Sequence, residues 1–111
     1  MGMYDYVKIK TDLLPISDYY KTLLGEYNEW QTKDYLCELG GIELREDGTV
    51  WYIKPKPIII RPVYTYEPID PDYCETLKFY GNDPKDKYWF EFSVEIEDGK
   101  WFNLNLMPIG F

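Results

Sequence analysis

Near the start of the chain, Tyr4, Tyr6, Lys8 and Lys10 alternate with Asp5, Val7 and Ile9. A period of two predicts a first strand, and Pro15 ends its reach. The pattern then changes to helical spacing at Tyr20, Leu23, Leu24 and Tyr27. Ser17 and Asp18 supply a hydroxyl N-cap and a first-turn acid, and Gly25 favours a left-handed stop. The predicted helix is therefore short, from Asp18 to Leu24.

The clearest strand signals flank a repeated tripeptide, Glu46-Asp47-Gly48 and Glu97-Asp98-Gly99, each set between β-branched and aromatic residues. Both predict hairpin loops. In the first, a three-residue loop pairs Leu44 with Val50 and Ile42 with Tyr52, which makes one apolar face. In the second, a two-residue loop would mix Phe92 with Asn105 and Val94 with Asn103. A three-residue loop with Gly99 left-handed in a bulge instead pairs Val94 with Phe102, Phe92 with Leu104 and Phe90 with Leu106. On that register Glu91, Ser93 and Glu95 face Asn105, Asn103 and Trp101 across a wet surface. Thr76 to Phe79 forms a further strand, returning through Gly81-Asn82-Asp83-Pro84 into Tyr88 to Ile96, so the C-terminal part is a three-stranded meander.

Between the hairpin systems, Pro55, Pro57, Pro62, Pro68 and Pro71 argue against a central strand, because each lacks an N–H. Ile58, Ile59 and Ile60 are too apolar for solvent and are expected to pack as an edge strand. The expected fold is a single domain over residues 1–111, mainly β. Antiparallel hairpins and the C-terminal meander form a small sandwich or open barrel, with one short N-terminal helix.

Composition narrows the chemistry. Twenty acidic residues against twelve basic ones give a net charge of −8, which disfavours direct binding of nucleic acid or anionic lipid. Residues 64–111 hold ten of the acids and only Lys78, Lys85, Lys87 and Lys100 as bases. There is no histidine, which removes imidazole metal sites and Ser-His or Cys-His nucleophile pairs. Cys37 and Cys74 stand in unrelated contexts and are expected to be reduced thiols in the cytoplasm. No cofactor motif, membrane span or glycine-rich phosphate loop is present. The excess lies in rings, with twelve Tyr, four Trp and five Phe, which serve cores first and contact surfaces second.

Individual motifs add little chemistry. Pro71-Asp72 with Asp83-Pro84-Lys85 carries the letters of a metal-dependent nuclease, but Pro84 puts them in a turn. Glu91 and Glu95 lie about 13 Å apart along a strand, too far for paired-carboxylate hydrolysis. Acidic neighbours of Cys74 disfavour a thiolate. Lys54, Lys56 and Arg61 suit the solubilising of an edge. Trp89 and Trp101 beside Glu91, Glu95 and Asn103 instead outline an interaction surface of aromatic anchors ringed by charge, or an ordinary wet sheet face. Its spaced carboxylates also suit the imitation of nucleic-acid phosphates toward a basic groove.

Three stretches, Met1-Gly2-Met3-Tyr4-Asp5-Tyr6-Val7, Trp30-Gln31-Thr32-Lys33-Asp34 and Ile42 to Trp51 around Glu46-Asp47-Gly48, together resemble a group of short, uncharacterised bacteriophage and prophage proteins. The Tyr-rich helix and Pro-rich middle depart from that pattern. The resemblance implies phage origin and a bacterial cytoplasmic setting, brings no activity, and singles out Gln31, Thr32, Lys33 and Asp34 as a polar cluster that would read a ligand or close a strand. The expected function is a non-enzymatic binding protein that modulates a host or defence protein through its acidic aromatic face. The alternatives are a structural protein that self-associates through an edge strand and a small carboxylate hydrolase.

Overall fold

The computed structural model describes residues 4–26, 30–36, 40–56, 63–85 and 87–107. Its elements run β1 (Asp5–Ile9), a 3-10 turn (Thr11–Leu13), α1 (Asp18–Leu24), β2 (Trp30–Thr32), β3 (Gly41–Leu44), β4 (Val50–Lys56), β5 (Val63–Pro68), β6 (Glu75–Asn82), β7 (Trp89–Glu97) and β8 (Lys100–Leu106). The fold is mainly β with one short helix, and that helix has the bounds the sequence predicts. Ser17 takes the extended backbone of an N-cap, but its side chain makes no capping bond.

The eight strands form one sheet in the order β5-β4-β3-β1-β2-β6-β7-β8, so a sandwich of two sheets is not what forms. The sheet is not closed into a barrel, yet it curls until its two hairpin tips meet. Thr49 bridges Lys100, the Val50 N–H donates to the Gly99 carbonyl at 2.9 Å, and the Trp101 N–H donates to the Gly48 carbonyl at 3.0 Å. An open, curled sheet gives every strand an inner face without needing a second layer.

Alternation makes that inner face apolar. Val7 and Ile9 of β1, Ile42 and Leu44 of β3, Val50 and Tyr52 of β4, Leu77 and Phe79 of β6, and Phe90 to Ile96 at every second position of β7 are all buried. Trp30 sits fully buried at their centre, with its ring centroid 5.3 Å from Phe92 and 6.1 Å from both Phe79 and Phe90. Each such side chain contributes roughly 1.5–3 kcal/mol on burial. The helix adds Leu24 and lays Tyr20 edge-on to Tyr88 and Phe90, both at 5.4 Å.

Three pairings have no local signal in the sequence. β1 lies parallel to β3, with Val7 opposite Ile42, and its other edge runs antiparallel to β2. The two halves of the sheet then join through β2 and β6, where Gln31 opposes Tyr80.

The two hairpins resolve differently. At Glu46 to Gly48 the expected three-residue loop forms, with Gly48 at φ 90° and Leu44 opposite Val50. At the second tip the turn has two residues, Asp98 at φ 53° and Gly99 at φ 74°, and Glu97 pairs with Lys100. This overturns the three-residue register. The mixing of polar and apolar positions that argues against a two-residue turn is avoided by an extra residue in β8. A bulge lets Asn103, at φ 52°, take up one position, so that Ser93 faces Asn105 and Phe92 faces Leu106.

Pro55 lies inside β4, although the sequence argues against a non-edge strand there. Pairing of β4 with β3 ends at Ile53 opposite Gly41, so Pro55 faces no β3 residue that needs its N–H. β5, holding Pro68, is an edge strand. Cys37, Arg61 and the isoleucines at 58–60 lie outside the described residues.

Candidate binding face

The outer face of the central strands carries a row of side chains in register. Tyr6 of β1 faces Gln31 of β2, Gln31 faces Tyr80 of β6, and Tyr80 faces Glu91 of β7. Direct cross-strand neighbours lie about 5 Å apart, so the row crosses four strands in about 15 Å. Its rings are reinforced at both ends. Tyr4 meets Tyr6 edge-on at 5.3 Å, and Trp89 stacks on Tyr80 at 5.4 Å and 28°. Tyr6 and Trp89 are 40% and 41% exposed, high values for large rings on a sheet.

Of the residues singled out on sequence grounds, Trp89, Glu91 and Glu95 share this face on alternate positions of β7. Asn103 joins them from the bulge, donating its side-chain amide to the Glu95 carboxylate. Trp101 does not. The two-residue turn puts it opposite Ile96 on the inner face, half-buried, with its indole N–H donating to the Arg45 carbonyl at 2.7 Å. Phe102 takes the outer position opposite Glu95 and is 41% exposed. The shift of one residue thus exchanges one aromatic ring for another.

The Gln31–Asp34 motif divides in the same way. Gln31 belongs to the outer row. Thr32 is fully buried opposite Asp5, and its hydroxyl accepts the Asp34 N–H at 3.2 Å. The Asp34 carboxylate accepts the Lys78 N–H of β6 at 2.8 Å, and its carbonyl accepts the Tyr73 hydroxyl at 3.0 Å. These two residues close the strand end and tie the halves of the sheet together; Lys33 between them is exposed. Tyr73 also packs on Tyr35, centroids 5.0 Å apart. Burial first, then Glu75 and Asp34, push the Tyr73 phenol up to about 12.

The nuclease-like letters resolve into turn chemistry. Asp83 is buried and its carboxylate accepts the N–H groups of Lys87 and Tyr88, both at 2.6 Å, and of Lys85 at 3.2 Å. Burial works to raise its pKa, but these bonds together outweigh it and hold the carboxyl below its ordinary value. Asp72 is exposed, with its N–H donated to the Asp70 side chain. Cys74 is an exposed free thiol. Among the described residues no three His, Cys, Asp or Glu side chains gather as a metal site, and no helix is long and apolar enough to cross a membrane.

One constellation is not foreseen from the sequence. On the outer face of the first hairpin, Trp51 lies directly opposite Glu43, and Arg45, two residues on, completes a triangle. The Arg45 guanidinium sits 4.3 Å over the Trp51 ring while its Nε pairs with the Glu43 carboxylate. The Trp51 indole donates to Thr49 at 3.1 Å. The predicted Leu44–Val50 register already puts Glu43 opposite Trp51, so the signal was available. Beside it, Lys8, Lys10, Glu43, Arg45 and Glu46 line a shallow open groove of about 700 Å³. Lys10 and Glu46 pair there at 3.0 Å, which leaves the groove mixed in charge.

No family model, curated protein or solved structure matches this chain.

Proposed function

We propose that the protein is a non-enzymatic binding protein of the phage or prophage kind, acting in the bacterial cytoplasm on a host or defence protein. Its contact surface is the outer face built by Tyr6, Gln31, Tyr80, Trp89 and Glu91. The observation that carries this reading is the exposure of Tyr6 and Trp89 on the outer face of one sheet beside a carboxylate. Aromatic rings with a polar rim are the usual anchors of protein contacts. The reading needs no metal or cofactor.

Imitation of nucleic acid is the poorer account of the same face. Lys78 faces Ser93 in the row between Glu91 and Glu95, so the carboxylates are interrupted by a cation. Self-association through an edge strand is the second reading, favoured by β8, an outermost strand with half-buried Leu104 and Leu106.

Affinity purification of the tagged protein from host cells, beside a Trp89→Ala, Glu91→Lys double variant of unchanged circular dichroism, tests the choice. A protein retained by the parent and lost by the variant is the expected result. Recovery of the chain with itself alone moves the weight to edge association.

A further inference from the structure

We infer that Trp89, Tyr80 and Glu91 form a receptor for an arginine side chain of the partner, an inference that rests on the binding role proposed above. The molecule holds a matching pair of sites, one complete and one open. The first hairpin shows what an aromatic ring directly across from a glutamate does on this sheet when an arginine is at hand. Trp51 faces Glu43, and Arg45 lies over the ring at 4.3 Å while pairing with the carboxylate. The C-terminal meander repeats the aromatic–glutamate pair in Tyr80 and Glu91, and Trp89 extends the ring surface by stacking on Tyr80. Here no arginine is paired with the glutamate: Glu91 forms no ion pair among the described residues. The position that Arg45 holds relative to Glu43, two residues on, is Ser93 here, and Lys78 opposite Ser93 makes no ion pair with Glu91 among the described residues.

The chemistry selects guanidinium over ammonium. A planar cation lies flat on an indole and still presents N–H groups in its plane to a carboxylate, whereas a lysine ammonium is a compact, strongly hydrated point charge. Charge complementarity points the same way, because the chain carries −8 and its C-terminal part holds most of the excess acid. The partner is therefore a protein segment with an exposed arginine, not a nucleic acid, whose phosphates would meet Glu91 and Glu95.

The test uses tetra-arginine and tetra-lysine peptides titrated into the full chain at low salt, read by NMR at the four indole N–H signals. The expected result is a saturable shift of Trp89 with tetra-arginine. Its midpoint should lie several-fold below that with tetra-lysine and rise roughly three- to tenfold in Glu91→Gln. Trp89→Ala should lose the preference for arginine, and Trp89→Tyr should restore part of it. Trp51 should stay still in the parent, since Arg45 covers it, and should begin to respond to tetra-arginine in Arg45→Ala. Equal response to both peptides, or arginine preference that survives Trp89→Ala, would overturn the inference. If the affinity experiment gives a partner lost on the double variant while the peptides are not distinguished, the binding face stands and the arginine receptor falls.

Discussion

The two hairpins carry the same three letters, Glu-Asp-Gly, and fold them differently. In the first, Gly48 takes the left-handed position of a three-residue loop and the apolar register continues unbroken to Ile42 opposite Tyr52. In the second, Asp98 and Gly99 are both left-handed in a two-residue turn, and the register is corrected later, at Asn103. The difference shows that a turn sequence proposes a loop but that the packing of both strands decides it. Trp101 is the residue that gains. Moved inward by the shorter turn, it seats its indole on the Arg45 carbonyl and joins the second tip to the first.

Replacing that residue is the harshest way to break the comparison. Trp101→Ala is expected to cost about 3 kcal/mol, the low end for a buried aromatic because this one is half-exposed, and to speed amide exchange at Val50. Chemical denaturation with residue-resolved exchange checks both. Next come the turn glycines. Gly48→Ala and Gly99→Ala each put a Cβ at positive φ and should cost roughly 1–2 kcal/mol. Because the two tips touch, the double variant should depart from additivity. An additive result would mean that the tips are energetically independent.

Acid is expected to act on a third turn, the one closed by buried Asp83. The Asp83 carboxyl titrates lower in the folded chain than in the unfolded one, so its contribution is present above the unfolded value of about 4 and is lost as pH falls through the folded value. Asp83→Asn should flatten the acid limb of a stability–pH curve. At the alkaline end the sign reverses in its origin. Tyr73, raised to about 12, favours the folded state below about pH 10 and weakens it as pH climbs toward 12, a loss absent in Tyr73→Phe.

The smallest effect sharpens the comparison most. Deleting Asn103 leaves Glu95 opposite Phe102 and Phe92 opposite Leu106, because the bulge absorbs one surplus residue and nothing else. The deletion is expected to change stability by no more than about 1 kcal/mol, whereas a register that ran on as in the first hairpin would be ruined by it. What it should change is solubility, since a bulge twists an edge strand away from further pairing.

Much of this architecture was legible where the information is local. The helix from Asp18 to Leu24, the first hairpin with its register, and the meander follow from spacing, turn residues and alternation. The parallel pairing of β1 with β3 was not, because nothing in Tyr4–Lys10 names a strand more than thirty residues away. The second hairpin was misread because a bulge restores the same matching of apolar faces that a longer loop would have provided. On the binding face, Trp89, Glu91 and Glu95 were readable from alternation along one strand. Tyr6 and Tyr80 were not tied to them, since only the tertiary order β1-β2-β6-β7 brings those rings together.

The place of β1 in that order also governs how the chain reaches its structure. β1 is an interior strand, held between β3 and β2, and the described ladder from β2 to β6 rests on Gln31 and Tyr80. Two hairpin units of low sequence separation can form early, but neither can bury Trp30 until the distant strands dock. Folding should therefore be limited by this late closure, and its rate should respond more to Asp34→Ala, which removes the acceptor for the Lys78 N–H, than to changes in either turn.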